Sequence, residues 1–379
     1  MTQTNTNTTT ADNHKNYIDS LKGIACFMVM LGHFLGVLRY TENFPINDTV
    51  IRFLNADYAF FLDESFWLYM FFIISGYLLV LSPSPNLKSV VVKCIKRFFR
   101  LGLPILFAYI IIFVIYKTIG FHNGETTALF QTDWYQSAYG GTYTLTQVIR
   151  SPIDVLIFGA KNLNAPYWVL RDMFFVSLYF FLYSFIRIKF LQKPIIRFIS
   201  DIVALCLTLS SKVAFSCFFG VIIAFYEPYL KKFFQKSKII SLAILFMLSV
   251  CYMIKEELYF ILPLFASLLL SVQEITSLFD KSKLLRYIGK ISFGIYSFHW
   301  PIFCSAGALL IIELCKHTSV LSAYIVTFIF CIILSFILAI IYNLTAEKWS
   351  TTITQKITQI TDNILDKFFN IFKKIRPTS

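Results

Sequence analysis

Four short runs set ionisable or hydroxyl side chains in apolar surroundings, where such groups are costly and by default functional. In YIDSLKGIACFMVMLGHFLGV, residues 17–37, Lys22 and His33 stand eleven positions apart. Eleven helical residues make about three turns, so both project from one face, about 16 Å apart along the axis. That spacing suits an extended acyl carrier, with a cation near its phosphates and an imidazole near its thioester. An amine reaching for the interface and a histidine bonded to a neighbouring helix give the same pattern. The runs FFIISGYLL (71–79) and KRFFRLGLP (96–104) come next. Ser75–Gly76 makes a notch that permits close helix packing. Lys96, Arg97 and Arg100 gather at one end of an apolar stretch, where they either bind phosphates or stop the transfer of a span. In APYWVLRDMFF, residues 165–175, Arg171 and Asp172 stand beside Trp168. They read as an interfacial anchor with a self-compensating charge pair, or as a polar site facing a cavity from outside. In YIGKISFGIYSFHWPIF, residues 287–303, Ser292, Tyr296 and His299 share one helix face. His299 reads as a structural, hydrogen-bonded histidine or as a second chemical group.

The scaffold that must position these runs follows from composition. The chain has 379 residues, 57% apolar and 15% charged, whereas a soluble domain is about half apolar and about a quarter charged. It has too little polar surface to cover a water-facing globule, which makes it an integral membrane protein and excludes a soluble enzyme, a collagen-like chain and a disordered polypeptide. The expected fold class is all-α, a polytopic bundle of about ten transmembrane helices. The spans fall near 20–38, 66–81, 101–119, 168–187, 198–210, 213–226, 239–254, 258–271, 291–312 and 322–344.

Charge sets the expected orientation. With the N-terminus in the cytoplasm, roughly three quarters of the Lys and Arg residues fall inside, so both termini are expected there. One long helix over 198–226 would turn the basic stretches 231–238 and 281–290 outward, so two short helices are favoured. The net charge of +13 then reads as loop charge that sets topology. No nucleic acid is expected, because the basic residues form no patch with interleaved aromatics. The eight cysteines lie mostly in apolar runs without a Cys-x-x-Cys pair, which indicates neither a disulfide framework nor a metal site.

Outside the spans, residues 1–15 are Thr/Asn-rich and read as a disordered cytoplasmic tail. The outer segment 120–165 reads as a long non-helical loop rich in Tyr, Thr and Gly, of a length that is usually functional. Residues 347–379 form a basic amphipathic cytoplasmic tail. In it Ile353, Ile357, Ile360, Ile364, Phe368 and Phe372 recur at helical spacing, as in a helix lying on the inner membrane surface. No internal repeat is seen.

In this order, the runs resemble acyltransferase family 3, the polytopic membrane O-acyltransferases, over nearly the whole chain. The family's Asp-x-Leu-Arg-Gly-Ile-Ala and later Gly-His are met by Asp19, Leu21, Gly23, Ile24, Ala25, Gly32 and His33. FFIISGYLL, KRFFRLGLP, CFFGVIIAF (217–225) and GKISFGIYSFHWPIF are also similar to family segments. Two positions depart. Lys22 replaces an arginine, keeping the charge but losing the planar bidentate fork. Met173 stands where a glutamate is common, with Asp172 one residue earlier and about 100° around the helix.

The resemblance implies that residues 16–346 form a transmembrane acyltransferase domain. It would move an acetyl group from cytoplasmic acetyl-CoA, a co-substrate, to a hydroxyl of an extracytoplasmic glycan. Only about 35 residues follow the last expected span. A stand-alone enzyme of the cytoplasmic membrane is therefore expected, acting on O-antigen, capsule or another surface polysaccharide, free or lipid-linked. His33, Asp172 and His299 are the implied catalytic residues, His33 serving as general base or accepting the acetyl group itself. Lys22, Lys96, Arg97 and Arg100 are the implied donor-binding residues, and Trp168, Arg171, Tyr296 and Ser75 the acceptor-binding ones. Expected partners are the lipid bilayer and either polysaccharide-assembly proteins or a second copy of the chain. A succinyl or longer acyl donor is the alternative within enzymes. A glycan flippase or exporter is the alternative outside them, and the lack of repeats counts against it.

Overall fold

The computed structural model describes residues 6–39, 52, 62, 64–130, 139–235 and 282–375. Among them there is no strand, and helices account for most of the chain. Lipid offers no partner to a free backbone amide, and a helix satisfies its amides internally. The helices are α1 (Thr6–Arg39), α2 (Glu64–Leu79), α3 (Leu87–Thr118), α4 (Asn123–Phe130), α5 (Leu145–Leu156), α6 (Leu170–Phe190) and α7 (Pro194–Cys206). They continue with α8 (Lys212–Gln235), α9 (Lys283–Lys290), α10 (Ser292–Ile302), α11 (Ala308–Leu314), α12 (Val320–Tyr342) and α13 (Lys348–Ile375). A 3₁₀ turn, Ala165–Val169, leads into α6. Two π turns, Phe303–Gly307 and Asn343–Glu347, join α10 to α11 and α12 to α13.

Six helical runs among the described residues are long and apolar enough to cross a membrane, and α2 is a shorter apolar helix. The expected spans 239–254 and 258–271 lie outside the described residues. The stretch 198–226 is broken into two helices. Cys206 ends α7, and the Ser211 hydroxyl accepts from Ala214 N at 3.2 Å to start α8. The α1 helix already begins at Thr6, inside the stretch expected as tail. Once the apolar segment has nucleated a helix, each further polar residue needs only its own hydrogen bond to join.

Segment 120–165 corrects a sequence expectation, because it contains α4 and α5. Helix α5 opens on a capping box in which Thr144 N donates to Gln147 Oε1 at 2.8 Å and Gln147 N donates to Thr144 Oγ1 at 3.4 Å. That Thr-x-x-Gln pattern is a helix-start signal readable in the sequence. Nearby, Phe121 stacks on Tyr139 with ring centroids 3.8 Å apart, and burial pushes the Tyr139 phenol well above its usual range.

Close backbone contacts and a polar knot tie helices of the bundle together. A Cβ on Gly76 of α2 would lie 1.6 Å from the Cys217 carbonyl oxygen on α8, and one on Gly289 of α9 would lie 1.8 Å from that of Asp19 on α1. Only glycine allows such approach, which is how membrane helices gain packing without a hydrophobic drive. The buried Asp201 carboxylate of α7 accepts from Arg187 Nε and Nη2 of α6 at 2.8 and 3.1 Å. It also accepts from Tyr183 at 2.5 Å and from Tyr226 of α8 at 2.6 Å.

The C-terminal helix has a partner within the chain. Helix α13 runs antiparallel to α3: Lys88 bonds Asp362 and Asp366 at 2.8 and 2.7 Å, Arg100 donates to Thr351, and Phe107 meets Trp349. Ile353, Ile360, Ile364 and Phe368 stay exposed on it.

Candidate active site

The site is a cavity of about 420 Å³ inside the bundle. That volume lies within the usual small-ligand range of about 300–1,000 Å³. Helix α1 supplies Asp19, Lys22, Cys26 and Val29, spaced so that one face looks inward. Helix α3 supplies Arg97, Arg100, Leu101 and Pro104, again one face. Its start is set by Asn86, whose side chain accepts from Ser89 N at 2.8 Å. Helix α2 adds Phe72 and Ser75, the Ala165–Val169 turn and α6 add Val169, Leu170 and Met173, and α9 and α10 add Lys290, Tyr296 and His299.

One end of the cavity is charged. Lys22 Nζ lies 3.8 Å from Asp19 Oδ1, a loose pair, and Glu347 Oε2 accepts from Asn343 Nδ2 at 2.8 Å. Arg97 of α3 lines the cavity with its Nε buried and without a hydrogen-bond partner among the described residues. An unpaired buried guanidinium nitrogen costs stability unless an anion completes it.

The other end is lined by His299, and His33 stands outside the lining, against His299. His299 is 1% exposed, and its Nδ1 lies 2.9 Å from the Ile295 carbonyl oxygen. Its Nε2 lies 2.8 Å from Nδ1 of His33, which is one turn beyond Val29 on the same face of α1. Trp300 stands edge-on to His33, ring centroids 5.3 Å apart. Helix α10 is pinned to the 3₁₀ turn: Tyr296 donates to the Pro166 carbonyl, Tyr167 to Ser297 Oγ at 2.6 Å, and Asn164 Nδ2 to Ser297 O at 2.9 Å.

Of the residues singled out in the sequence, Lys22, Ser75, Arg97, Arg100, Tyr296 and His299 line this one cavity, and His33 joins it through His299. The Ser75 hydroxyl donates to Phe71 O at 2.8 Å. Four others are not brought there. Lys96 is exposed and absent from the lining, since one residue before Arg97 is about 100° around the helix. Trp168 is 48% exposed, and the exposed Arg171 lies over the Phe175 ring at 5.9 Å. Asp172 accepts from Ser211 Oγ at 2.5 Å, and no ion pair joins it to Arg171 among the described residues. The face of this segment that meets the cavity is Val169, Leu170 and Met173, which turns Trp168, Arg171 and Asp172 elsewhere.

Lys290 and Glu347 also line the cavity, although neither stands out in the sequence and Lys290 reads there as loop charge. Asp19 also lines the cavity, and its i, i+3 spacing to Lys22 was a usable sign. Among the described residues, no group of three or more His, Cys, Asp or Glu side chains could hold a metal ion. A family profile described as an acyltransferase domain matches residues 15–343. No curated protein and no solved structure matches the chain.

Proposed function

The chain belongs to acyltransferase family 3, and on that premise we propose that it moves an acetyl group from cytoplasmic acetyl-CoA to a hydroxyl of an extracytoplasmic glycan. The observation that carries this reading is the unpartnered Nε of Arg97 in a cavity shared with Lys22, Arg100 and Lys290. Planar guanidinium forks and ammonium groups suit the phosphates of coenzyme A. Lys22 and His33 are about 16 Å apart along α1, which leaves room for an extended thioester arm between them.

Beside His299, His33 takes the proton of the acceptor hydroxyl as its oxygen attacks the thioester carbonyl. The carbon–sulfur bond then breaks, and the leaving thiolate of coenzyme A takes the proton from the His33 imidazolium, which restores the base. The acceptor is a surface polysaccharide or its lipid-linked precursor at the cytoplasmic membrane. The exposed Trp168 and Arg171 are offered as contacts for it on the outer side.

The test is the acetyl content of the surface polysaccharide, read by NMR. A strain lacking the gene is complemented with wild type or His33→Ala at matched membrane levels. We expect O-acetyl signals with wild type and none with the variant. Unchanged acetylation with His33→Ala refutes the mechanism. Loss of the polysaccharide itself, with acetylation intact on what remains, refutes acyl transfer in favour of export.

A further inference from the structure

We propose that His299 is a positioning residue that sets which nitrogen of His33 receives the proton. The inference rests on reading His33 as the base. Nδ1 of His299 lies 2.9 Å from the Ile295 carbonyl oxygen, one turn back on α10. A carbonyl oxygen only accepts, so this nitrogen carries the hydrogen. In the neutral ring Nε2 then holds the lone pair, and His33 Nδ1, 2.8 Å away, is the donor to it. The same rule applied once more puts the lone pair of His33 on Nε2.

A backbone carbonyl thus dictates, through one buried ring, the tautomer of a second ring on another helix. The two residues are 266 positions apart in the chain. Their rings lie 5.1 Å apart and nearly parallel, at 22°.

The arrangement also favours the product of the proton transfer. When Nε2 of His33 takes the hydroxyl proton, the imidazolium keeps donating through Nδ1 to His299. That bond becomes charge-assisted and about twice as strong as a neutral one. No proton has to move between the rings, and His299 itself stays neutral throughout.

The test compares His299→Gln with His299→Asn in the full chain reconstituted in lipid. A glutamine amide oxygen reaches about as far as Nε2 and can accept from His33. An asparagine amide ends at the level of Nδ1 and leaves His33 Nδ1 without its acceptor. Nitrogen-15 NMR of labelled histidines, with His33→Ala identifying the signal, reads the tautomer in the resting protein without turnover.

Wild type and His299→Gln should show His33 protonated at Nδ1 and unprotonated at Nε2, and His299→Asn should lose that preference. In turnover, His299→Asn should lower kcat by about 100-fold, the lower end of general-base effects. Its KM for acetyl-CoA should stay unchanged, and His299→Gln should recover most of the rate. A wild-type His33 protonated at Nε2, a His299→Asn enzyme with normal kcat, or equal losses in both variants overturns the inference. The expected tautomer in a protein that consumes no acetyl-CoA would instead sink the acyltransferase reading alone.

Discussion

Arg97 and Lys96 are neighbours in the chain, yet the bundle gives them opposite surroundings, and substituting each by methionine separates donor binding from general charge. Arg97 lines the cavity with a buried, unpartnered Nε, while Lys96 is exposed and outside the lining. A hydrogen bond to a charged group contributes about 1.5–3 kcal/mol. Losing one such bond to a donor phosphate weakens binding by about tenfold to about a hundredfold. Lys96 has only screened, long-range attraction to offer, so Lys96→Met should change donor affinity by less than about threefold.

Stability moves the other way. Arg97→Met removes a buried, incompletely paired charge, so the ligand-free variant should melt at the wild-type temperature or above it. The assay is a thermal melt in lipid nanodiscs with and without acetyl-CoA, beside initial rates of thiol release. At a donor concentration a hundred times the wild-type Kd, linkage gives wild type about 2.7 kcal/mol of stabilisation. A hundredfold weaker variant would gain about 0.4 kcal/mol at the same concentration. Arg97→Met stabilised by donor as fully as wild type would refute the assignment, as would Lys96→Met losing as much affinity as Arg97→Met.

Two further perturbations probe the frame around the cavity. In Gly289→Ala the new methyl would start 1.8 Å from the Asp19 carbonyl oxygen, against backbone that cannot rotate away. Helices α1 and α9 must separate, at about 1–3 kcal/mol or more. We expect a lower melting temperature and, because Asp19, Lys22 and Lys290 border this contact, a smaller thermal shift with donor. Asp201→Ala leaves Arg187 without its bidentate partner and two tyrosines without their acceptor. Its expected cost is about 3–5 kcal/mol, read as a drop in melting temperature, while the donor KM of the protein that remains folded stays near wild type.

Apolar runs of spanning length, the charges between them and the spacing within each run are local properties, and they identified the membrane class and the helices that bear the site. Lys22 and His33 share a face of α1 because eleven residues close about three turns, whatever else surrounds that helix. The Thr144–Gln147 capping box is equally local, although the composition around it resembles that of a loop. What periodicity lacks is rotation: it says which residues share a face, and not which neighbour that face meets. Packing alone turned Arg97 inward and Lys96 outward, and faced Met173 to the cavity while Asp172 went to Ser211. It also laid α13 along α3 and brought His33 within 2.8 Å of His299. Those outcomes depend on where helices far apart in sequence can approach, as at Gly289 against Asp19 and Gly76 against Cys217. Such approach is a fit between two surfaces, and neither stretch of sequence contains it alone.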